Sequence, residues 1–67
     1  MNINDRVINN IKIIMFKKKI NQNKIAKILC QSRQAVSLCF LRKRNMTLEN
    51  IEKLSNYFKI EIQQLLR

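Results

Sequence analysis

The sequence predicts an all-α fold built from five short helices, and three observations carry that expectation. Neither glycine nor proline occurs among the 67 residues, so the two residue types least compatible with a helix interior are absent. Apolar residues recur at spacings of three and four, which line one face of a helix, rather than in the alternation that lines a strand. Four of the five apolar runs follow an Asn, Asp, Ser or Thr, whose side-chain oxygen accepts a hydrogen bond from the free amides of a helix start. The chain is read as one domain over residues 1–67. At this length only about 60% of the unfolded surface is buried on folding, so stability is thin and association with another copy would add to it.

Helix 1 is expected from about Asp5 to Lys18, capped by Asn4 or Asp5, with Val7, Ile8, Ile11, Ile14 and Met15 on its apolar face. Lys17, Lys18 and Lys19 close it, where cations favour the negative pole of the helix dipole. Asn21 caps a two-turn helix 2 with Ile25, Ala26 and Leu29 inward, ending near Cys30. Ser32 caps helix 3, which turns Val36, Cys39 and Phe40 to one side and Arg33, Gln34, Ser37 and Leu38 to the other. The stretch Arg42-Lys43-Arg44-Asn45 lacks apolar periodicity and reads as a loop. Thr47 caps helix 4, with Leu48, Ile51, Leu54 and Phe58 inward and Tyr57 at the border; Ile60, Ile62, Leu65 and Leu66 form a short closing helix 5.

Fourteen Lys and Arg against four Asp and Glu leave a formal charge of +10. All of that excess sits between Lys12 and Arg44, a window with no acidic residue; outside it Asp5 offsets Arg6, and Glu49, Glu52 and Glu61 offset Lys53, Lys59 and Arg67. A polyanionic partner is implied, nucleic acid before an anionic membrane surface. The chain has no histidine, no CxxC pair and only Cys30 and Cys39, which argues against a zinc site and a disulfide framework and for a reducing, cytoplasmic location. No paired carboxylates and no nucleophile beside a base point to an enzyme, and no cofactor or small-molecule site is expected. The longest apolar stretch, Ile13 to Phe16, is far below membrane-spanning length.

The informative segment is QNKIAKILCQSRQAVSLCFL, Gln22 to Leu41. Two short helices about three residues apart, a small residue in the first and apolar anchors in both are what a helix-turn-helix requires. Ala26 stands where the helices cross closely, and Val36 pins the second helix against the first. With these residues, and with Lys43-Arg44-Asn45, Thr47-Leu48-Glu49, Phe58-Lys59-Ile60 and Leu65-Leu66, the chain resembles the Cro and lambda-repressor type of DNA-binding protein, the XRE family, over nearly its whole length. The resemblance implies a compact five-helix lambda-repressor-like domain whose helix 3 enters the major groove of DNA. Two departures stand out: Cys30-Gln31 where the family has glycine and an aliphatic residue, and Phe40-Leu41-Arg42 where it has an acidic residue and glycine.

By position, the resemblance implies base reading by Ser32, Arg33, Gln34, Ser37 and Leu38. It implies phosphate contacts from Gln22, from Lys17, Lys18 and Lys19, from Arg42, Lys43, Arg44 and Asn45, and from the helix start at Thr47. The residue chemistry fits: Arg33 forks onto guanine, Gln34 pairs with adenine, and Leu38 touches a thymine methyl. Leu38 reads equally as a subunit contact or a tolerated surface residue, and the lysine cluster as a solvated helix end. The expected function is a sequence-specific transcriptional regulator, of phage Cro-like repressor or restriction-modification controller type, nucleoid-associated through its DNA operator. It would bind as a homodimer, with Tyr57 and Ile60 as candidate contacts, and occlude or recruit polymerase. The alternatives are an antitoxin that uses the same motif on its operon while holding a toxin, and a non-specific basic protein binding RNA or membrane.

Overall fold

The computed structural model describes residues 3–67. They form α1 (Ile3–Lys18), α2 (Gln22–Leu29), α3 (Arg33–Phe40), α4 (Leu48–Phe58) and α5 (Ile62–Leu66), with no strand among them. None of these helices is long and apolar enough to cross a membrane. α2 packs on α3 and α4, while α5 packs on α1 and α4. The core is continuous from Val7, Ile8 and Ile11 through Ile25, Leu29 and Val36 to Ile51, Leu54, Phe58 and Leu65. A fully buried aliphatic side chain contributes about 1.5–3 kcal/mol relative to an exposed one, so this cluster is the main stabilising term.

Three caps form as the sequence predicts. The side chains of Asn21, Ser32 and Thr47 accept from the amides of Lys24, Ala35 and Asn50 at 3.2, 3.1 and 3.2 Å. The start of α1 differs. The helix already runs from Ile3, so Asn4 and Asp5 lie inside its first turn, and their side chains reach across the molecule. The Asn4 side chain accepts from the Met46 amide at 3.0 Å, and Asp5 pairs with Arg42 at 2.7 Å. Neither caps the helix as expected; the loop between α3 and α4 takes up their oxygens instead.

Leu48 is a second correction: expected inward, it is 61% exposed. It occupies the first helical position, and the inward place at this helix start is taken by Met46, which is buried. Met46 precedes the Thr47 cap and Ile51 is the fourth helical residue, the two positions of a hydrophobic staple. Ile14, Met15, Ile60, Ile62 and Leu66 only rim the core, whereas Leu65 is fully buried. Asn10 ties the two ends of the chain together by donating from its side chain to the Leu65 carbonyl at 2.8 Å.

α1 to α4 all end in the same way. Lys19, Cys30, Arg42 and Lys59 each take a left-handed conformation, with φ between 55° and 62°. The amide of each bonds back to Phe16, Lys27, Cys39 and Asn56 respectively, and the next amide to Met15, Ala26, Leu38 and Ser55. These are Schellman terminations, which satisfy the last carbonyls of a helix and which glycine usually provides. In a chain without glycine, each places a Cβ against the following carbonyl at a cost of about 1 kcal/mol.

Cys30→Gly and Lys59→Gly are therefore each expected to stabilise the protein by up to about 1 kcal/mol, raising the thermal midpoint by roughly 4–8 °C for a domain of this size. Arg42→Gly should gain less because it also removes the Asp5 pair. Circular-dichroism melts check this, and a lowered midpoint for Cys30→Gly would mean its side chain does more for the turn than its backbone costs. The two thiols should also separate chemically. Cys30 is exposed, whereas Cys39 is buried and its thiol is pushed up by that burial, an effect partly opposed by Arg44. Alkylation of the native protein at neutral pH, followed by mass spectrometry, should modify Cys30 alone.

Candidate nucleic-acid interface

α3 is an amphipathic two-turn helix held from behind. Val36, Cys39 and Phe40 are buried in the core, which leaves its other side facing solvent. Ala26 is 6% exposed on α2, the helix packed against α3, where a larger side chain would collide. The turn between the helices is fixed twice. The Gln31 amide bonds to the Ala26 carbonyl at 3.0 Å, and the Gln31 side chain donates to Oδ1 of the buried Asn50 of α4 at 3.3 Å. That glutamine anchors the turn to a third helix by hydrogen bonding.

Ser32, Arg33, Gln34 and Leu38 are exposed and Ser37 is half-buried, so all five predicted base-reading residues come together at the start and outer side of α3. The Ser32 oxygen already accepts from Ala35, which leaves its hydroxyl proton as the group available to a ligand. Leu41 was missed as a member of this surface. It is 64% exposed and follows Ser37 and Leu38 by four and three residues, so it continues the same stripe past the end of the helix. Its spacing from Ser37 and Leu38 carried the signal.

The basic loop divides into two parts. Arg42 turns back onto α1, where its guanidinium meets Asp5 at 2.7 Å and the Asn9 side-chain oxygen at 2.9 Å. Asp5 thus pairs with a residue of the basic window. The pair is partly exposed and contributes at most about 1 kcal/mol, but it joins the loop after α3 to α1. Lys43, Arg44 and Asn45 stay exposed, and among the described residues neither Lys43 nor Arg44 has a carboxylate within 4.0 Å. Two like charges in sequence and an open backbone make this the least compensated part of the surface beside α3.

The remaining predicted contacts are more dispersed. Gln22 is half-buried at the first position of α2, and the Thr47 hydroxyl is occupied as a cap for Asn50. Lys18 and Lys19 are exposed at the end of α1, whereas Lys17 lines a groove with Ile13, Ile60 and Gln64 on the α5 side. Lys24 of α2 lies over the Tyr57 ring at 5.6 Å, and Tyr57 stacks edge-on against Phe58 at 5.3 Å. A lysine therefore covers part of the aromatic surface that the sequence offered for a subunit contact.

Taken together, the side chains at the start and on the outer side of α3 provide a planar five-donor fork, an amide with both donor and acceptor, two hydroxyls and two branched hydrocarbon groups. Such a set can donate and accept hydrogen bonds next to apolar contacts. Among the described residues no group of three or more His, Cys, Asp or Glu is gathered in a way that would hold a metal ion. Compared with known proteins, the chain matches no family model, no curated protein and no solved structure.

Proposed function

We propose that this chain is a sequence-specific double-stranded DNA-binding transcriptional regulator, a lambda-repressor-like helix-turn-helix protein in which α2 and α3 form the motif. The observation that carries the reading is the two-sidedness of α3: core residues behind, and Arg33, Gln34, Ser37 and Leu38 in front, on a chain of net charge +10. An α-helix with side chains is about 10–12 Å across and the major groove about 12 Å wide, so α3 is the element to insert. Arg33 takes guanine O6 and N7, Gln34 takes adenine N6 and N7, and Leu38 with Leu41 packs on thymine methyls.

Lys43, Arg44 and Asn45 at one end of α3, and Gln22 with Lys18 and Lys19 on the other side of the turn, hold the phosphates and set register and affinity. Arg42 serves less as a phosphate ligand than as the strut that keeps Lys43 and Arg44 in place, because its own charge is met by Asp5. Two copies on half-sites about one helical turn apart would occupy an operator and block or recruit polymerase.

Selection of bound sites from random duplex DNA is the direct test, and a palindromic consensus is the expected result. With about 6–10 phosphates contacted, affinity should fall by roughly 10³–10⁵ between 50 and 200 mM salt. Arg33→Ala should relax preference at one base position, whereas Lys43→Ala should weaken all sequences about equally. Identical effects from the two variants would mean that α3 is not the reading helix. A sharper check concerns the leucines: replacing thymine by uracil at the selected positions deletes only the methyl group, and each loss should weaken binding about fourfold. Leu38→Ala with Leu41→Ala should erase that difference between thymine and uracil.

A further inference from the structure

Among the described residues Phe16 is the most exposed large apolar side chain, at 86%, and neither the core nor the α3 surface accounts for it. Ile13, one turn earlier on α1, is 53% exposed. The two follow the fully buried Ile11 by two and five residues, which at 3.6 residues per turn points them roughly 160° and 140° away from it. Both therefore stand on the outer side of α1, opposite the stripe that holds the helix to the core. Ile13 edges the shallow groove between α1 and α5, whereas Phe16 projects clear of it.

Cations surround this pair. Lys12 precedes Phe16 by four residues and Lys17 follows Ile13 by four, spacings that make neighbours on a helix surface, and Lys18 and Lys19 close the helix. All four lysines are exposed, and among the described residues none has a carboxylate within 4.0 Å. The one acidic residue of α1, Asp5, is engaged by Arg42, and the Glu61 side chain is taken up in the capping box of α5. An occupant of this face is therefore anionic and carries hydrocarbon next to its charge. The phosphate backbone of DNA has the charge but no apolar layer for a phenyl ring. A protein would need a hollow to receive a side chain that projects from a convex helix. An anionic bilayer supplies both features and deforms around what enters it, with cations at the level of the headgroups and the ring below them.

We propose that the outer side of α1 docks on an anionic lipid bilayer, with Phe16 and Ile13 entering the boundary between headgroups and acyl chains and Lys12, Lys17, Lys18 and Lys19 lying on the headgroups around them. The helix axis then runs in the plane of the surface. Charge draws the chain to the bilayer, and the phenyl ring decides which side of the molecule meets it. The face contains no residue of α3, and the contact stands without the DNA-binding reading. A bilayer and a duplex would share Lys18 and Lys19, whereas Lys12 and Phe16 belong to the bilayer alone.

The chain has no tryptophan, so Phe16→Trp introduces a single indole as a reporter at the centre of the face. With vesicles of equal parts phosphatidylserine and phosphatidylcholine, and no nucleic acid, its emission should move to shorter wavelength and be quenched by brominated acyl chains. Vesicles of phosphatidylcholine alone should leave it unchanged. Leu41→Trp, on the α3 surface, should stay unquenched with either vesicle, which separates docking by α1 from adhesion through charge alone. In vesicle flotation Phe16→Ala should weaken binding of the full chain roughly tenfold, and Lys12→Gln roughly fivefold. Phe16→Ala should leave its helix content, by circular dichroism, and its binding to duplex DNA unchanged. An indole at position 16 that stays in water on the phosphatidylserine vesicles would overturn the proposal and leave an acidic protein as the occupant. Equal quenching at positions 16 and 41 would also overturn it, as would a shift that appears without lipid as protein concentration rises, the mark of a second copy on this face.

Discussion

Everything that α3 presents to solvent depends on what holds it from behind. Val36 is fully buried and Cys39 and Phe40 nearly so, against a core that includes Ile25, Ala26 and Leu29 of α2. Because the interior is close-packed, a helix with three such anchors in eight residues has little freedom to roll about its axis. The outward set is therefore decided by the inward one. Ala26 completes the constraint, since its size governs how near the two helices approach.

The absence of glycine gives the fold a particular character. Four helix ends need a left-handed residue, and Lys19, Cys30, Arg42 and Lys59 supply it with side chains attached. Three of the four are basic, so positions that carry a backbone penalty also place a cation at the negative pole of a helix, which offsets part of it. Arg42 does the most with its position. It ends α3, directs the following basic residues outward and reaches Asp5 and Asn9 on α1. The loop is thereby joined to the scaffold at one end by Arg42 and at the other by the Met46 amide on Asn4.

Charge is divided between surfaces rather than spread evenly. The cations of the middle of the chain meet few carboxylates of their own, while Glu49, Glu52 and Glu61 lie on α4 and at the start of α5. In the proposed reading, the first region is matched by a nucleic-acid backbone.

The helices, three of their caps and the inward stripes were legible in the sequence, because each of those signals lies within three or four residues along the chain. Asn21, Ser32 and Thr47 cap as their positions demanded, and Val36, Cys39 and Phe40 face inward as their spacing required. The outer side of α3 follows from the same periodicity, with Leu41 as the residue overlooked. What only the tertiary structure decided involves partners far apart in the chain: Asp5 and Asn9 with Arg42, Asn4 with Met46, Gln31 with Asn50, and Asn10 with Leu65. A polar side chain announces that it can bond, but which group it meets depends on how helices cross, and local spacing does not encode that. Met46 rather than Leu48 is buried for a related reason: the direction from which the chain enters α4 is set by contacts with α1 made more than forty residues away.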